Sequence, residues 1–407
     1  MAELMRYAEM KDSGVEWLGE IPRHWGQVRL KVILSNSSVK NHPEAEVLSL
    51  YRELGVVPKK SRDDNHNVTS EDTSQYKFVE IGNLVINKMK AWQGSLAISE
   101  YEGIVSPAYY VCKLKPGLIH SKYLHYLLRS STFAQRFECL STGMRIGQWD
   151  LGIDDFLCEC IFLPMLEEQQ AIASYLDDQC VQIDDIIASA KASIEDYKQW
   201  KASVIYEAVT RGLNPDVKMK RTTNDYFEYI PDHWDIYKMK YLLDISSGDA
   251  IRNEEIFEDG KYPVFGGGEK IGYCNFYNTD KGNLIIGRVG ARCGCVTKIY
   301  NKSFATDNAL VVKTDIPEYI FYVLIASDLN KMNTSNAQPL ITGGKIKNWK
   351  MPICPEKKEQ EDIISYLNDK CSKIDDLITE KETLIADLES YKKSLIYEVV
   401  TGKRKVA

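Results

Sequence analysis

The chain has no long uninterrupted run of apolar residues. Its longest such run, Tyr319 to Ala326, lies between Glu318 and Asp328 and is far shorter than the roughly 20 residues that a membrane-spanning helix needs. The acidic N-terminus also lacks the pattern of a signal peptide. The sequence therefore predicts a cytoplasmic protein.

The ten cysteines show no disulfide-like spacing. Cys158 and Cys160 form one C-x-C pair, and Cys293 and Cys295 form another. Neither pair has the C-x-x-C spacing or the nearby histidines that tetrahedral zinc sites usually show. We expect free thiols and no structural metal.

Common catalytic motifs are also missing. The sequence contains no Asn/Asp-Pro-Pro-aromatic run of the kind that holds a flipped base in adenine methyltransferases. Gly343-Gly344-Lys345 lacks the upstream glycine of a phosphate-binding loop, and Gly266–Gly268 is more typical of a flexible loop than of a phosphate cradle. His24 and His233 each precede a tryptophan without a nucleophile or second base, so packing or hydrogen bonding is the expected role.

The net charge of −7 is unevenly distributed. Basic and acidic residues nearly balance in segments 1–162 (19 against 20) and 213–350 (18 against 17), whereas segments 163–212 (4 against 9) and 351–407 (10 against 12) are acidic. A neutral segment can present a basic face, but this composition does not predict strong electrostatic binding to DNA by the chain alone.

The second half of the chain repeats the first. A shift of 191 positions carries segment 164–210 onto matching residues without a gap, for example Ser174-Tyr175-Leu176 onto Ser365-Tyr366-Leu367. Weaker matches have other offsets. Ile21-Pro22-x-His24-Trp25 matches Ile230-Pro231-x-His233-Trp234 at 209, and Thr142-Gly143 matches Thr342-Gly343 at 200. Such self-similarity predicts two copies of one structural plan.

The two acidic segments carry a sustained heptad of apolar residues, which predicts long helices that pack on another helix. Each helix should run about 44 residues, or roughly 65 Å. A proline precedes each predicted helix, and Gly212 and Gly402 follow as stop signals. The predicted seam consists of Leu176, Ile183, Ile187, Ile194, Leu367, Ile374, Ile378 and Leu388.

The segments between the helices have short runs of strand composition, such as Leu84–Asn87, Tyr109–Val111 and Leu284–Ile286. Segments 123–137 and 318–332 favour helix. We therefore predict an α+β protein with two mixed α/β domains in a pseudo-twofold arrangement, separated by a long antiparallel two-helix coiled coil. The predicted domain boundaries are 1–162, 163–212, 213–350 and 351–407.

Several stretches resemble type I restriction-modification specificity subunits over essentially the whole length. They are Asp12–Trp25, Ile86–Gly94, Val105–Tyr109, Leu163–Gln169 and Val209–Leu213. The second half lacks the Lys-Met-Lys-Ala-Trp-Gln-Gly stretch of the first and has Gly287–Gly294 in its place. Residue roles therefore transfer less directly to the second half.

The resemblance implies two target-recognition domains, each reading one half of an asymmetric bipartite site in double-stranded DNA, and a coiled coil that sets the spacing. It also implies docking of two modification subunits, which are adenine methyltransferases that use S-adenosylmethionine. Restriction subunits that translocate DNA with ATP and Mg²⁺ would join the full complex. The chain itself is expected to be non-catalytic and to bind no cofactor.

Positions that are basic in both copies are candidates for phosphate contacts, and nearby positions that differ are candidates for base readout. The first class consists of Lys88, Arg145, Arg288 and Lys345. The second consists of Lys90, Gln93 and Gln148 in the first half and of Arg292, Asn308 and Lys347 in the second.

Two other functions remain open from the residues. One is an enzyme that methylates or cuts DNA unaided, which turnover by the isolated chain would reveal. The other is a coiled-coil scaffold without a DNA role, which protection of a split DNA site by the assembled complex would exclude.

Overall fold

A computed structural model describes residues 6–52, 54–61, 69, 72–143, 149–224, 226–332 and 339–406. The chain forms two compact units. Unit 1 comprises Met1–Ser189 together with Thr383–Ala407, and unit 2 comprises Ala190–Glu382. Each unit thus contains one globular part and portions of two long helices.

Unit 1 combines short strands with short helices. Its strands are β1 (Met10–Asp12), β2 (Glu20–Pro22), β3 (Gly26–Arg29), β4 (Leu34–Ser37), β5 (Leu48–Tyr51), β6 (Gly55–Pro58), β7 (Lys77–Val79), β8 (Leu84–Asn87), β9 (Leu96–Ile98), β10 (Gly103–Val105), β11 (Tyr109–Leu114), β12 (Ser141–Thr142), β13 (Asp150–Leu151) and β14 (Cys160–Leu163). Its helices are α1 (Leu30–Ile33), α2 (Ser121–Arg129), α3 (Ser131–Leu140), α4 (Ile153–Cys158) and the start of α5 (Leu166–Arg211).

The central sheet of unit 1 is antiparallel, with strand order β4-β11-β8-β9. Its apolar side chains, together with α2 and α3, form a core that is continuous with the buried face of α5. Strand β3 pairs with β14, immediately before α5 begins. This pairing joins the globular part to the long helix.

Unit 2 repeats this organisation. Its strands are β15 (Met219–Asn224), β16 (Phe227–Pro231), β17 (Asp235–Lys238), β18 (Asp244–Ser247), β19 (Tyr262–Gly266), β20 (Glu269–Cys274), β21 (Leu284–Gly287), β22 (Val296–Lys298), β23 (Phe304–Ala305), β24 (Ala309–Lys313) and β25 (Lys350–Ile353). Its helices are α6 (Pro317–Ala326), α7 (Gly343–Asn348) and most of α8 (Lys357–Val400).

The sheet order β18-β24-β21-β22 in unit 2 has the same antiparallel connectivity as the central sheet of unit 1. Strand β17 pairs with β25 just before α8, as β3 does with β14 before α5. The units differ in their additional strands. Unit 1 has the pairs β5-β6 and β7-β10, whereas unit 2 has the sheet β20-β19-β23. The predicted repeat is thus present at the level of topology.

The predicted strands and helices of the globular parts are confirmed, with two local differences. The helix predicted over 123–137 is divided between α2 and α3 at Ser130, whose backbone is extended (ψ 150°). The helix predicted over 318–332 ends at Ala326 and is followed by a 3-10 turn over Leu329–Met332.

The two long helices run antiparallel where each unit contains both of them. In unit 1, Lys392 Nζ lies 2.7 Å from both carboxylate oxygens of Asp184. In unit 2, Lys201 Nζ lies 2.6 Å from both oxygens of Asp375. In both units, residues later in α8 therefore meet residues earlier in α5, which confirms the predicted antiparallel pairing.

The predicted seam is buried along most of its length. The fully buried members are Leu176, Ile183, Ile187, Ile194, Leu367 and Ile374, and the half-buried members are Ile378 and Leu388. Lys201 and Lys392 occupy seam positions that apolar residues would be expected to fill. Gly212 (φ +76°) and Gly402 (φ +71°) end the helices in the left-handed conformation that glycine tolerates.

Candidate functional site

A carboxylate near the start of α5 anchors the first globular part. Glu168 accepts hydrogen bonds from Trp25 Nε1 at 3.2 Å and from the Tyr7 hydroxyl at 2.7 Å, and its other oxygen lies 2.8 Å from His24 Nε2. Burial and the hydrogen bond to Glu168 raise the pKa of Tyr7. The predicted hydrogen-bonding role of His24 is confirmed.

The same arrangement recurs at the start of α8. Glu359 Oε2 lies 2.8 Å from His233 Nε2 and accepts a hydrogen bond from Trp234 Nε1 at 3.2 Å. Cys354 donates its thiol hydrogen to the same carboxylate at 2.9 Å, and burial, reinforced by this contact, raises the pKa of the thiol to about 12. A neutral thiol of this kind is a structural group and not a nucleophile.

In unit 1, two segments that carry predicted DNA contacts lie side by side. The Leu151 amide donates to the Lys88 carbonyl oxygen at 3.0 Å, and the rings of Trp92 and Trp149 are 5.4 Å apart. The turn after β8 presents Lys90, whose amide bonds the Asn87 carbonyl oxygen. Gln93 closes the 3-10 turn Ala91–Gln93. Arg145 and Gln148 lie outside the described residues.

In unit 2, the corresponding loop is fixed in the same way. The Ile341 amide donates to the Arg288 carbonyl oxygen at 3.0 Å, as the Leu151 amide does to Lys88. The Arg288 amide donates to the Asn308 carbonyl oxygen at 3.0 Å, and the Arg288 guanidinium reaches the Asp307 carbonyl oxygen at 3.4 Å. The structure therefore brings Arg288 and Asn308 together on neighbouring loops.

Several of the predicted contact residues already have a carboxylate partner. Lys88 pairs with Asp150 at 2.8 Å, Arg292 with Glu269 at 2.7 Å and Lys347 with Asp244 at 2.8 Å. The hydrogen bond to Asp150 raises the pKa of Lys88, and the bond from Lys347 lowers the pKa of Asp244. Lys345 also has an interaction partner within the chain. Whether these side chains contact DNA stays a prediction.

The glycine run Gly266–Gly268 was expected to be a flexible loop, but it packs closely against the loop that carries Arg288 and Arg292. A Cβ atom on Gly287 would lie 2.4 Å from the Gly267 carbonyl oxygen and 2.2 Å from that of Arg292. The Thr297 hydroxyl also donates to the Gly268 carbonyl oxygen at 2.6 Å. These glycines allow two backbone segments to pack closely. The run of three glycines is the sequence feature that could have indicated this packing.

Within the described part of the chain, no cluster of three or more histidine, cysteine, aspartate or glutamate side chains is placed to hold a metal ion. Over the same residues, no helix is both long and apolar enough to cross a membrane.

Type I restriction proteins are among those that the chain is similar to. Residues 231–389 match the model of the type I restriction modification DNA specificity domain. The specificity subunit of the type I restriction enzyme MjaVIII from Methanocaldococcus jannaschii is 24% identical over 388 residues, which cover 81% of this chain and 83% of the relative.

Two solved structures share the fold. A chain from a study of complex assembly and conformational transition in the type I R-M system gives a TM-score of 0.71 at 14% identity and covers 93% of this chain and 98% of its own length. The HsdS subunit of Thermoanaerobacter tengcongensis gives 0.53 at 14% identity, covering 97% and 100%. The domain model and the relative thus point to type I restriction-modification specificity subunits as the proteins that this chain is similar to, and the solved structures share its fold.

Proposed function

We propose that this chain is the DNA sequence-specificity subunit of a type I restriction-modification complex. Each recognition domain, 1–162 and 213–350, reads one half of an asymmetric bipartite site in double-stranded DNA. The antiparallel helix pair, 163–212 and 351–407, sets the spacing between the halves and docks two modification subunits.

The observation that carries this proposal is the equal attachment of the two globular parts to the long helices. Each part has the same central sheet order and is held by a tryptophan and a histidine on a glutamate in the first turns of a long helix. A split recognition sequence requires two recognition domains held at a fixed spacing, and two similar domains attached to rigid helices meet this requirement. Where the units differ, in their additional strands and loops, they are free to recognise different bases.

The loops beside the central sheets are the proposed reading surface. In unit 1 they are the turn around Lys88 to Gln93 and the neighbouring strand β13. In unit 2 they are the segment Arg288–Arg292 and the loop at Asn308. Arginine and lysine suit guanine and phosphate oxygens, whereas glutamine and asparagine suit adenine. Because the two surfaces carry different side chains, we propose that the half-sites have different sequences.

We infer that the chemistry is supplied by partner subunits. S-adenosylmethionine would bind to the modification subunits, and ATP and Mg²⁺ to the restriction subunits that translocate and cut DNA. This chain would then be a non-catalytic adaptor. The absence of an adenine methyltransferase pocket motif and of a phosphate-binding loop from the sequence supports this division.

The test is reconstitution of the complex with its modification subunits. The complex should methylate adenines in both halves of one split sequence in a plasmid library, as mapped by long-read sequencing. Modification subunits without this chain should leave the same site unmodified. This chain alone, supplied with S-adenosylmethionine, ATP and Mg²⁺, should yield no product. Turnover by the isolated chain, or methylation without a split motif, would overturn the proposal.

A further inference from the structure

In unit 2, the turn between β19 and β20 lies against both loops of the proposed reading surface. Towards the first loop, a Cβ atom on Gly268 would lie 3.3 Å from the Gly287 amide nitrogen. Towards the second loop, the Thr306 amide donates to the Phe265 carbonyl oxygen at 2.9 Å, where β19 pairs with β23. Glu269, which ends this turn, is therefore held beside the first loop.

Glu269 forms an ion pair with Arg292 of that loop. Arg292 Nε lies 2.7 Å from Glu269 Oε2, and the two side chains are 56% and 50% exposed. Exposed ion pairs contribute little to the stability of a fold. The loop is instead held by its own backbone hydrogen bonds, which the Cys293 and Gly294 amides donate at 3.0 and 2.8 Å. The main effect of Glu269 is therefore on the electrostatic surroundings of Arg292.

Unit 1 has a similar turn but no charges at the corresponding positions. The turn between β5 and β6 packs on β9, where a Cβ atom on Gly55 would lie 3.3 Å from the Ala97 side chain. The residue after this glycine is the buried Val56, and Trp92 corresponds to Arg292 at the offset of 200. Neither Val56 nor Trp92 can form an ion pair. At these positions the ion pair is therefore specific to unit 2, as expected for a contact that affects which sequence that unit recognises.

The carboxylate of Glu269 affects two kinds of DNA contact unequally. Arginine binds phosphate oxygens and the O6 and N7 atoms of guanine, both in a bidentate manner. A phosphate that approaches Arg292 also approaches the negative charge of Glu269, which repels it, whereas the guanine edge carries no net charge. An arginine beside a carboxylate therefore loses more of its attraction for phosphate than of its attraction for guanine.

We propose that Glu269 is a specificity-determining residue of unit 2, which keeps Arg292 from binding phosphate so that this arginine binds a guanine in one half-site. The inference rests on the proposed function, in which the loop of Arg292 faces DNA, and it adds a residue outside the proposed reading loops. Glu269 acts through Arg292 and does not itself contact DNA. Specific interfaces commonly combine attraction of the right contact with repulsion of the wrong one.

The test compares complexes reconstituted with the wild-type chain, with Glu269→Ala, Glu269→Gln or Arg292→Ala, and with the double variant Glu269→Ala/Arg292→Ala. Glu269→Gln keeps the size of the side chain and removes its charge. Asp232→Ala is the matched control, because Asp232 is also an exposed carboxylate of unit 2 and pairs with Lys218 at 3.1 Å, outside the turn and both loops. Methylation of a library randomised in the second half-site measures base preference. Binding to DNA that lacks the site is measured as a function of salt.

The wild-type complex should prefer guanine at one base pair of the second half-site, and Arg292→Ala should lower that preference roughly 5-fold or more. Glu269→Ala and Glu269→Gln should lower the preference at the same base pair and strengthen binding to DNA without the site about 2- to 5-fold. The slope of log K against log salt should steepen by about 0.9, the value for one added phosphate contact. In the Arg292→Ala background, removal of Glu269 should change neither the preference nor the slope, and the control should match the wild type.

Three results would overturn this inference alone, provided that the wild-type complex methylates a split site. The Glu269 variants could keep the wild-type preference and slope, they could weaken binding to all DNA, or they could act equally in the Arg292→Ala background. Thermal unfolding of each isolated chain monitors the fold, and Glu269→Gln carries the test if Glu269→Ala unfolds. If the wild-type complex methylates no split site, the proposed function fails, and this inference fails with it.

Discussion

Lengthening both long helices at equivalent positions should change the DNA spacer and leave the half-sites unchanged. The insertion points are after Ala192 in α5 and after Thr383 in α8, which correspond at the offset of 191. Four residues inserted at each point keep both helices equal in length, and coiled coils accommodate four-residue insertions by local unwinding.

The expected shift follows from helix geometry. Four residues add about 6 Å and rotate the downstream part of the helix by roughly 40° beyond a full turn. DNA rises about 3.4 Å per base pair and turns roughly 35° per base pair at about 10 to 10.5 base pairs per turn. One added base pair is therefore shorter than the added helix length, whereas two added base pairs are slightly longer than it and rotate further than the helix does. The preferred spacer should grow by one or two base pairs.

The assay is methylation of a plasmid library in which only the spacer length varies, one base pair at a time. A four-residue insertion after Pro116, in an exposed turn of unit 1, is the control and should leave the spacer unchanged. If the helix insertion alters the bases read but not the spacer, the helices do not determine the spacer length, and the modification subunits must set it.

Three further predictions concern stability and modularity. Ile187→Asp should destabilise the chain by about 2–5 kcal/mol, because Ile187 is only 8% exposed within the core of unit 1. Ile378→Asp should destabilise it less, because that side chain is half-buried. Equal urea midpoints for the two variants would contradict this difference. Replacing segment 213–350 by the equivalent domain of a relative should change one half of the methylated motif, and a change in both halves would show that the units do not read independently. Burial, with Arg129 nearby, lowers the pKa of His125 to about 4, so the neutral ring is favoured in the folded chain. The free energy of unfolding should therefore decrease as pH falls from about 6.5 towards 4. The partly accessible ring limits the loss to about 2 kcal/mol, and His125→Asn, which retains an acceptor for the Ile98 amide, should flatten this pH dependence in chemical denaturation.

The repeat and the long helices could be predicted because their signals are local or periodic. The heptad and the flanking glycines determine where α5 and α8 lie, and the offset of 191 makes the helices equivalent. The break between α2 and α3 at Ser130 could not be predicted, because the apolar pattern continues across it. The extended backbone there reflects packing of both helices on the same core.

The partners of the site residues could not be predicted, because they are distant in sequence. His24 was expected to form a hydrogen bond, but its partner Glu168 is 144 positions away. Lys88 was proposed as a DNA contact, and in the structure its side chain pairs with Asp150, 62 positions away. Such contacts depend on how the sheet and the helix start are brought together, which residue spacing alone does not specify.

The paired carboxylates bear on how the recognition domains would work. On the proposed function, Lys88, Arg292 and Lys347 must loosen their contacts with Asp150, Glu269 and Asp244 before they meet DNA. The gain from binding phosphate or base is then offset by the loss of an existing partner, so a sequence that offers these side chains no good contact leaves the ion pairs intact and binds less well. Segments 1–162 and 213–350 are also nearly neutral in net charge. On the proposed function, the domains are therefore suited to discriminating between sequences, and most of the salt-dependent affinity would come from the partner subunits.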